Sequence, residues 1–268
     1  MEYRLPRLLL ALFVGAALAV AGVLIQGIVR NPLASPDILG VNHAASLASV
    51  GALLLMPSLP VMVLPLLAFA GGMAGVVLLK KLGKRRVLAL TGVALSACWA
   101  SLTDYLMLSR PQDVNNALLW LTGSLWGRDW SFVKIAIPLM ILFLPLSLSF
   151  CRDLDLLALG DARATTLGVS VPHTRFWALL LAVAMTSTGV AACGPISFIG
   201  LVVPHMMRSI TGGRHRRLLP VSALTGALLL VVADLLARII HPPLELPVGV
   251  LTAIIGAPWF VWLLVRMR

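Results

Sequence analysis

Read along its length, the chain alternates long apolar runs free of charge with short polar joints. A surface helix of a soluble domain would break its apolar stripe with polar residues every turn; these runs do not. Crossing the hydrocarbon takes about 20 apolar residues at 1.5 Å rise each. Nine runs qualify, at residues 8–28, 40–57, 61–80, 87–108, 130–150, 174–193, 195–211, 218–240 and 246–265. Two of the divisions rest on helix breakers. The uncharged stretch 44–79 is too long for one crossing and is cut by Pro57, Pro60 and Pro65, and 176–204 is cut at Cys193-Gly194-Pro195. Small residues recur inside the runs, as in Gly15-Ala16-Ala17 with Gly22, and Gly71-x-x-x-Gly75. They let helix backbones approach where no hydrophobic effect drives association. The pattern predicts an all-α, polytopic membrane helix bundle in which residues 1–268 form one domain.

Composition agrees: 60% of residues are hydrophobic, 12% are charged, and mean hydropathy is +1.00. The net charge of +11 changes the picture only by fixing orientation. No basic face with interleaved aromatics exists for nucleic acid, and the charges sit between the apolar runs. With the N-terminus outside, Arg30, the 80–86 cluster, Arg152, Arg163, Arg175, Arg208, the 214–217 cluster, Arg266 and Arg268 lie in the cytoplasm. Only Arg4, Arg7, Arg110, Arg128, Lys134 and Arg238 lie outside, which the positive-inside rule favours. The C-terminus is then cytoplasmic. Residues 1–7 lack the basic-then-apolar order and small-residue cleavage site of a signal peptide. An exported N-terminus without such a signal leads to the expectation of a further helix upstream.

The candidate chemistry is sparse. Gly83-Lys84 is followed by Arg85 and lacks the upstream glycine of a phosphate cradle, so no ATP site is expected in this chain. Neither a Ser/His/Asp arrangement, nor a His-Glu-x-x-His helix, nor a relay of buried carboxylates is evident. Cys98, Cys151 and Cys193 have no paired spacing, and neither a metal nor a cofactor is expected. Asp104 and Asp234 are the acidic residues well inside spans. Asp234 and Arg238 stand i, i+4, a spacing that serves either a local ion pair or a functional site. Asp104 has two readings as well, facing a water-filled pathway or reaching toward the outer interface beside Tyr105. His205, with Arg208 three residues on, reads as structural.

One segment differs in kind. Between residues 151 and 175, Leu154, Leu157, Ala164 and Leu167 approximate one helical face. Asp161 is placed to N-cap a short helix ending near Thr166 or Leu167, Gly160 to form a hinge before it, and Gly168 to terminate it. Such helices would lie along the inner membrane surface. Their stripe has two readings, a handle for a cytoplasmic protein or an idle interfacial helix.

At this point the chain resembles the FecCD/BtuC-type permeases of bacterial ABC importers for iron-siderophores, haem and vitamin B12. The resemblance rests on Arg4-Leu5-Pro6-Arg7, on Asn31-Pro32-Leu33-Ala34 with Pro36 and Leu39-Gly40-Val41, and on Leu157-Ala158-Leu159-Gly160 with Leu167-Gly168. It extends through Phe198-Ile199-Gly200-Leu201-Val202-Val203-Pro204-His205 to Glu245-Leu246-Pro247 with Gly249. Within the family the similarity is greatest to the second permease subunit of ferric dicitrate importers. The resemblance implies a ten-helix fold of which this chain holds the last nine. It implies a non-catalytic permease of the bacterial inner membrane, paired with a second permease in a heterodimer. It further implies two copies of a cytoplasmic ATPase, which carry the ATP and Mg, and a periplasmic substrate-binding protein. It casts Leu159, Gly160, Asp161, Ala164, Leu167 and Gly168 as the ATPase-coupling element, and Arg4, Arg7 and Arg238 as docking points for acidic residues of the binding protein. It places Gly92, Ser96, Asp104, Thr252 and Gly256 along the translocation pathway.

Two rival readings stand beside it. An ion-coupled secondary carrier requires intramembrane titratable relays and no cytosolic handle, the reverse of what the residues show. A purely structural subunit beside an active permease shares every feature above.

Overall fold

The computed structural model describes residues 3–56, 58–60, 63–82, 88–109, 118, 120–240 and 245–266. Pro57, Lys84, Arg85, Arg86, Arg110 and Arg268, used above for span division and orientation, lie outside the described residues. The helices are α1 (Arg4–Val29), α2 (Val41–Leu55), α3 (Leu64–Leu82), α4 (Leu88–Ser109) and α5 (Trp130–Ser147), which runs through a 3-10 turn (Leu148–Phe150) into α6 (Cys151–Leu157). There follow α7 (Asp161–Thr166), α8 (Val171–Cys193), α9 (Ile199–Thr211), α10 (His215–Ile239) and α11 (Val248–Arg266). No strand occurs among the described residues.

Each of the nine apolar runs holds a helix. Among the described residues, five are long and apolar enough to cross a membrane by length and composition: Arg4–Val29, Leu64–Leu82, Trp130–Leu157, Val171–Cys193 and His215–Ile239. The run 195–211 holds a shorter helix than its length suggested. Its helix α9 has only 13 residues, about 20 Å, and begins after the turn Gly194–Phe198. α2, at 15 residues, is similarly short.

The bundle is organised around α1, which is buried almost continuously from Leu10 to Ile28 and packs along α10, α8, α9 and α5. A helix apolar all round can be buried only by being surrounded. Glycine permits the contact. Gly15 and Gly226 face each other so closely that a methyl on either would run into the other's carbonyl group, and Gly22 meets the backbone of Gly200 in the same way. On the other side of the bundle, the Gly71-x-x-x-Gly75 face takes the methyls of Ala48 and Ala44 on α2.

The segment 31–40 turns back into the bundle after α1 ends. A methyl on Gly200 would lie 2.9 Å from the Leu18 carbonyl oxygen and 3.3 Å from Cδ of Pro36, so Pro36 sits at the level of Leu18 and Gly22, about 12–18 Å back along α1. Irregular backbone at that depth must be satisfied by protein. Val41 N–H donates to the Pro36 carbonyl at 3.0 Å and Gly40 N–H to that of Asp37 at 2.9 Å. The Asp37 carboxylate accepts from the Asn42 amide and, at 3.4 Å, from the backbone N–H of Phe198. Phe198 holds φ +71°, a left-handed conformation costly for an aromatic residue, and its side chain lies on Gly256.

Substituting Gly22→Leu should lower the thermal midpoint of the detergent-solubilised chain steeply and broaden its size-exclusion peak, with overpacking costing about 3 kcal/mol or more. Gly51→Ala is the control, because its new methyl meets only Leu106 at 3.7 Å; it should leave both readings unchanged.

Candidate functional site

The 151–175 element is a helix pair mounted on the bundle. Leu154, Leu157 and Ala164 are 0% exposed, whereas Leu159 is 52% and Leu167 51% exposed. The expected single face is therefore split: three members anchor the element, and Leu167 points away with Leu159. Gly160 holds φ +106° and Gly168 φ +87°, so both joints use conformations that suit glycine. At the second, Gly168 N–H donates to the Thr165 carbonyl and Val169 N–H to that of Ala164, the paired bonds of a Schellman ending.

Asp161 departs from its expected part. The capping position belongs to Gly160, and Asp161 is the first residue of α7. Its carboxylate accepts a two-pronged bond from Arg175, at 3.1 and 2.9 Å, and an ion pair from Arg30 at 3.0 Å. Two further contacts fasten α6. Thr174 Oγ1 donates to Asp153 at 2.7 Å. The backbone N–H of His215 donates to Asp155 at 3.0 Å, while its Nδ1 lies 2.6 Å from the same oxygen, a spacing that makes Nδ1 the protonated nitrogen. Beside these helices lies a hollow of about 430 Å³ lined by Cys151, Arg152, Asp155, Leu156, Leu167 and Arg216.

The pathway candidates part company. Asp104 lines a cavity of about 360 Å³ with Asn42, His43, Ser46, Thr103, Ser197 and Gly249. The others are packing residues in this arrangement. Gly92 lies under the Ile38 carbonyl, Ser96 Oγ donates to the Gly92 carbonyl at 2.8 Å, Thr252 is 3% exposed and bonds the Gly249 carbonyl, and Gly256 carries Phe198. The polar lining contributed by α2 was missed because Asn42, His43 and Ser46 sit in an apolar run and face the cavity only once α2 is placed against α4.

At the outer end the expected Asp234–Arg238 pair is present at 2.5 Å, and a third residue dominates it. Arg7 Nε donates to both oxygens of Asp234 at 2.9 and 3.1 Å, its Nη2 lies 2.8 Å from Asp234, and its Nη1 pairs with Glu245 at 2.6 Å. Asp234 is 2% exposed and Arg7 11%. All three guanidinium nitrogens of Arg7 are thus engaged inside the chain, whereas of the other two docking candidates Arg4 is exposed and Arg238 half-buried. A sequence separation of 227 hid this contact from any reading of local spacing.

Removing Arg7 would leave Asp234 buried with half its compensation. Arg7→Met should therefore destabilise the solubilised chain by about 3 kcal/mol, read as a lowered thermal midpoint, whereas Arg4→Met should not shift it.

Comparison with known proteins places this geometry. The model of the FecCD transport family matches residues 1–266. The chain is 96% identical over 271 aligned residues to the Fe(3+) dicitrate transport system permease protein FecD of Escherichia coli (strain K12), covering 100% of this chain and 85% of that protein. It is 47% identical to the Fe(3+)-citrate import system permease protein YfmE of Bacillus subtilis (strain 168), covering 98% and 80%. Among solved structures, a metal-chelate type ABC transporter in an inward-facing conformation superposes with a TM-score of 0.89 at 32% identity, over 99% of this chain and 88% of that one. Sequence and architecture agree: the chain belongs to the FecCD transport family.

Proposed function

We propose that this chain is a permease subunit of an ABC importer for ferric dicitrate. It would form the translocation pathway with a second permease and be driven by two copies of a cytoplasmic ATPase. The single observation that carries this reading is the α6–α7 element, whose buried leucines fix it to the bundle while Leu159 and Leu167 stand free for a partner. A sequence with neither a phosphate cradle nor a relay of intramembrane titratable groups is suited to taking its energy from another protein, and an exposed helical handle on the basic, cytoplasmic face is suited to that. ATP and Mg belong to that partner. The substrate follows from the 96% identity to a ferric dicitrate permease and from a 47% identical citrate importer of a distant bacterium.

Closure of the ATPase pair would press on Leu159 and Leu167 and bias the bundle between two arrangements open to opposite sides of the inner membrane. At the outer face, Arg4 and Arg238 offer guanidinium forks to carboxylates of a periplasmic binding protein. Arg7 supports that surface from within by fixing Asp234, which in turn orients Arg238.

The test is reconstitution of the full-length chain with its partner permease, ATPase and binding protein in proteoliposomes, with the binding protein loaded with ferric citrate or with other ferric chelates. Ferric citrate should stimulate ATP hydrolysis above the empty binding protein, and stimulation by a different chelate alone would reassign the substrate.

Gly160→Pro provides a sharper probe, since proline fixes φ near −65° against the +106° observed. The variant should insert into the membrane at normal levels and lose ATP-driven uptake. Full uptake in Gly160→Pro would remove the coupling assignment.

A further inference from the structure

The coupling element has a weak mechanical connection of its own. α7 is six residues long, lies between the two positive-φ glycines, and buries one side chain, the methyl of Ala164. A push delivered to Leu159 or Leu167 would rock such a segment about its glycine joints unless a further attachment held it. The Asp161 carboxylate supplies one. It is held by a fork from Arg175 on α8 and by Arg30, the residue that ends α1 in the left-handed conformation.

We propose that Arg30 and Arg175 are positioning residues that clamp α7 to α1 and α8 together, so that displacement of the coupling helix becomes displacement of the bundle's two most buried helices. The proposal rests on the coupling reading above. Neither arginine contacts the transported substrate or the nucleotide; each acts through Asp161.

The two clamped helices are suited to the task. α1 and α8 pack along each other, with Gly189 of α8 set against Val14 and Leu18 of α1. α1 is about 39 Å long by its 26 residues. Its outer end is tied by Arg7 to Asp234 of α10 and to Glu245. One rigid rod therefore carries an ionic joint to the cytoplasmic element at one end and an ionic joint to the outer surface at the other. Stability of the fold does not account for the clamp. Arg30, Asp161 and Arg175 are between 27% and 37% exposed, and ion pairs so open to solvent contribute at most about 1 kcal/mol.

A merely structural role and a positioning role separate in transport per ATP. In the reconstituted importer, Arg30→Gln, Arg175→Gln and Asp161→Asn should each keep the thermal midpoint within about 3 °C of the parent and retain the ATPase through purification. They should move about five- to tenfold less substrate per ATP hydrolysed. Arg30→Gln/Arg175→Gln combined should be no worse than Asp161→Asn alone, because all three break one joint. The charge exchange Asp161→Arg/Arg175→Asp should recover part of the loss. Normal transport per ATP in the double arginine variant, while the unaltered protein transports ferric citrate, would overturn the clamp and leave the function standing. Loss of ATPase retention in Asp161→Asn but not in the arginine variants would also overturn it, by making Asp161 a direct partner contact. Absence of ATP-driven uptake by the unaltered protein would bring down both readings.

Discussion

The structure depends on how closely α1 can be approached. In a bilayer, helix association gains little from excluding apolar surface, since lipid is as apolar as leucine, so contact area and backbone proximity decide stability. Gly15 against Gly226 and Gly22 against Gly200 bring α10 and α9 to backbone contact with α1, which becomes the core of the bundle rather than one wall of it. The re-entrant segment follows from this. Because α9 starts beside Gly22 at depth, the chain between α1 and α2 has protein to pack on and can leave its regular hydrogen-bonding pattern without facing lipid.

Charge is placed where that core ends. Arg7 with Asp234, Glu245 and Arg238 closes the N-terminal end of α1, and Arg30 with Asp161 and Arg175 closes its C-terminal end. Asp234 is tolerated at 2% exposure because two guanidinium groups reach it, in keeping with the cost of an unpaired charge in a low-dielectric interior. The Arg30–Asp161–Arg175 cluster is more open to solvent. A separate cavity is lined by His43, Asp104, Asn42, Ser46, Thr103 and Ser197, a polar lining suited to water or a polar solute.

Membership of the FecCD transport family is shown by a match over residues 1–266. The geometry adds which parts of the 151–175 segment are mount and which are open: Leu154, Leu157 and Ala164 are buried in the bundle, and Leu159 and Leu167 are exposed.

The amino-acid sequence by itself determined what local physics controls. Charge-free runs located the helices, the i, i+4 spacing found Asp234 with Arg238, and Gly160 and Gly168 marked the joints of the 151–175 segment. It could not give the lengths of α9 and α2, because the segments that precede them are held by a long-range contact, Phe198 N–H to the Asp37 carboxylate. Nor could it give Asp161 to Arg30 and Arg175, Asp234 to Arg7, or the cavity to His43. Those contacts join residues far apart in the chain. Periodicity reports which face of a helix is apolar, whereas the partner of that face is chosen by three-dimensional packing alone.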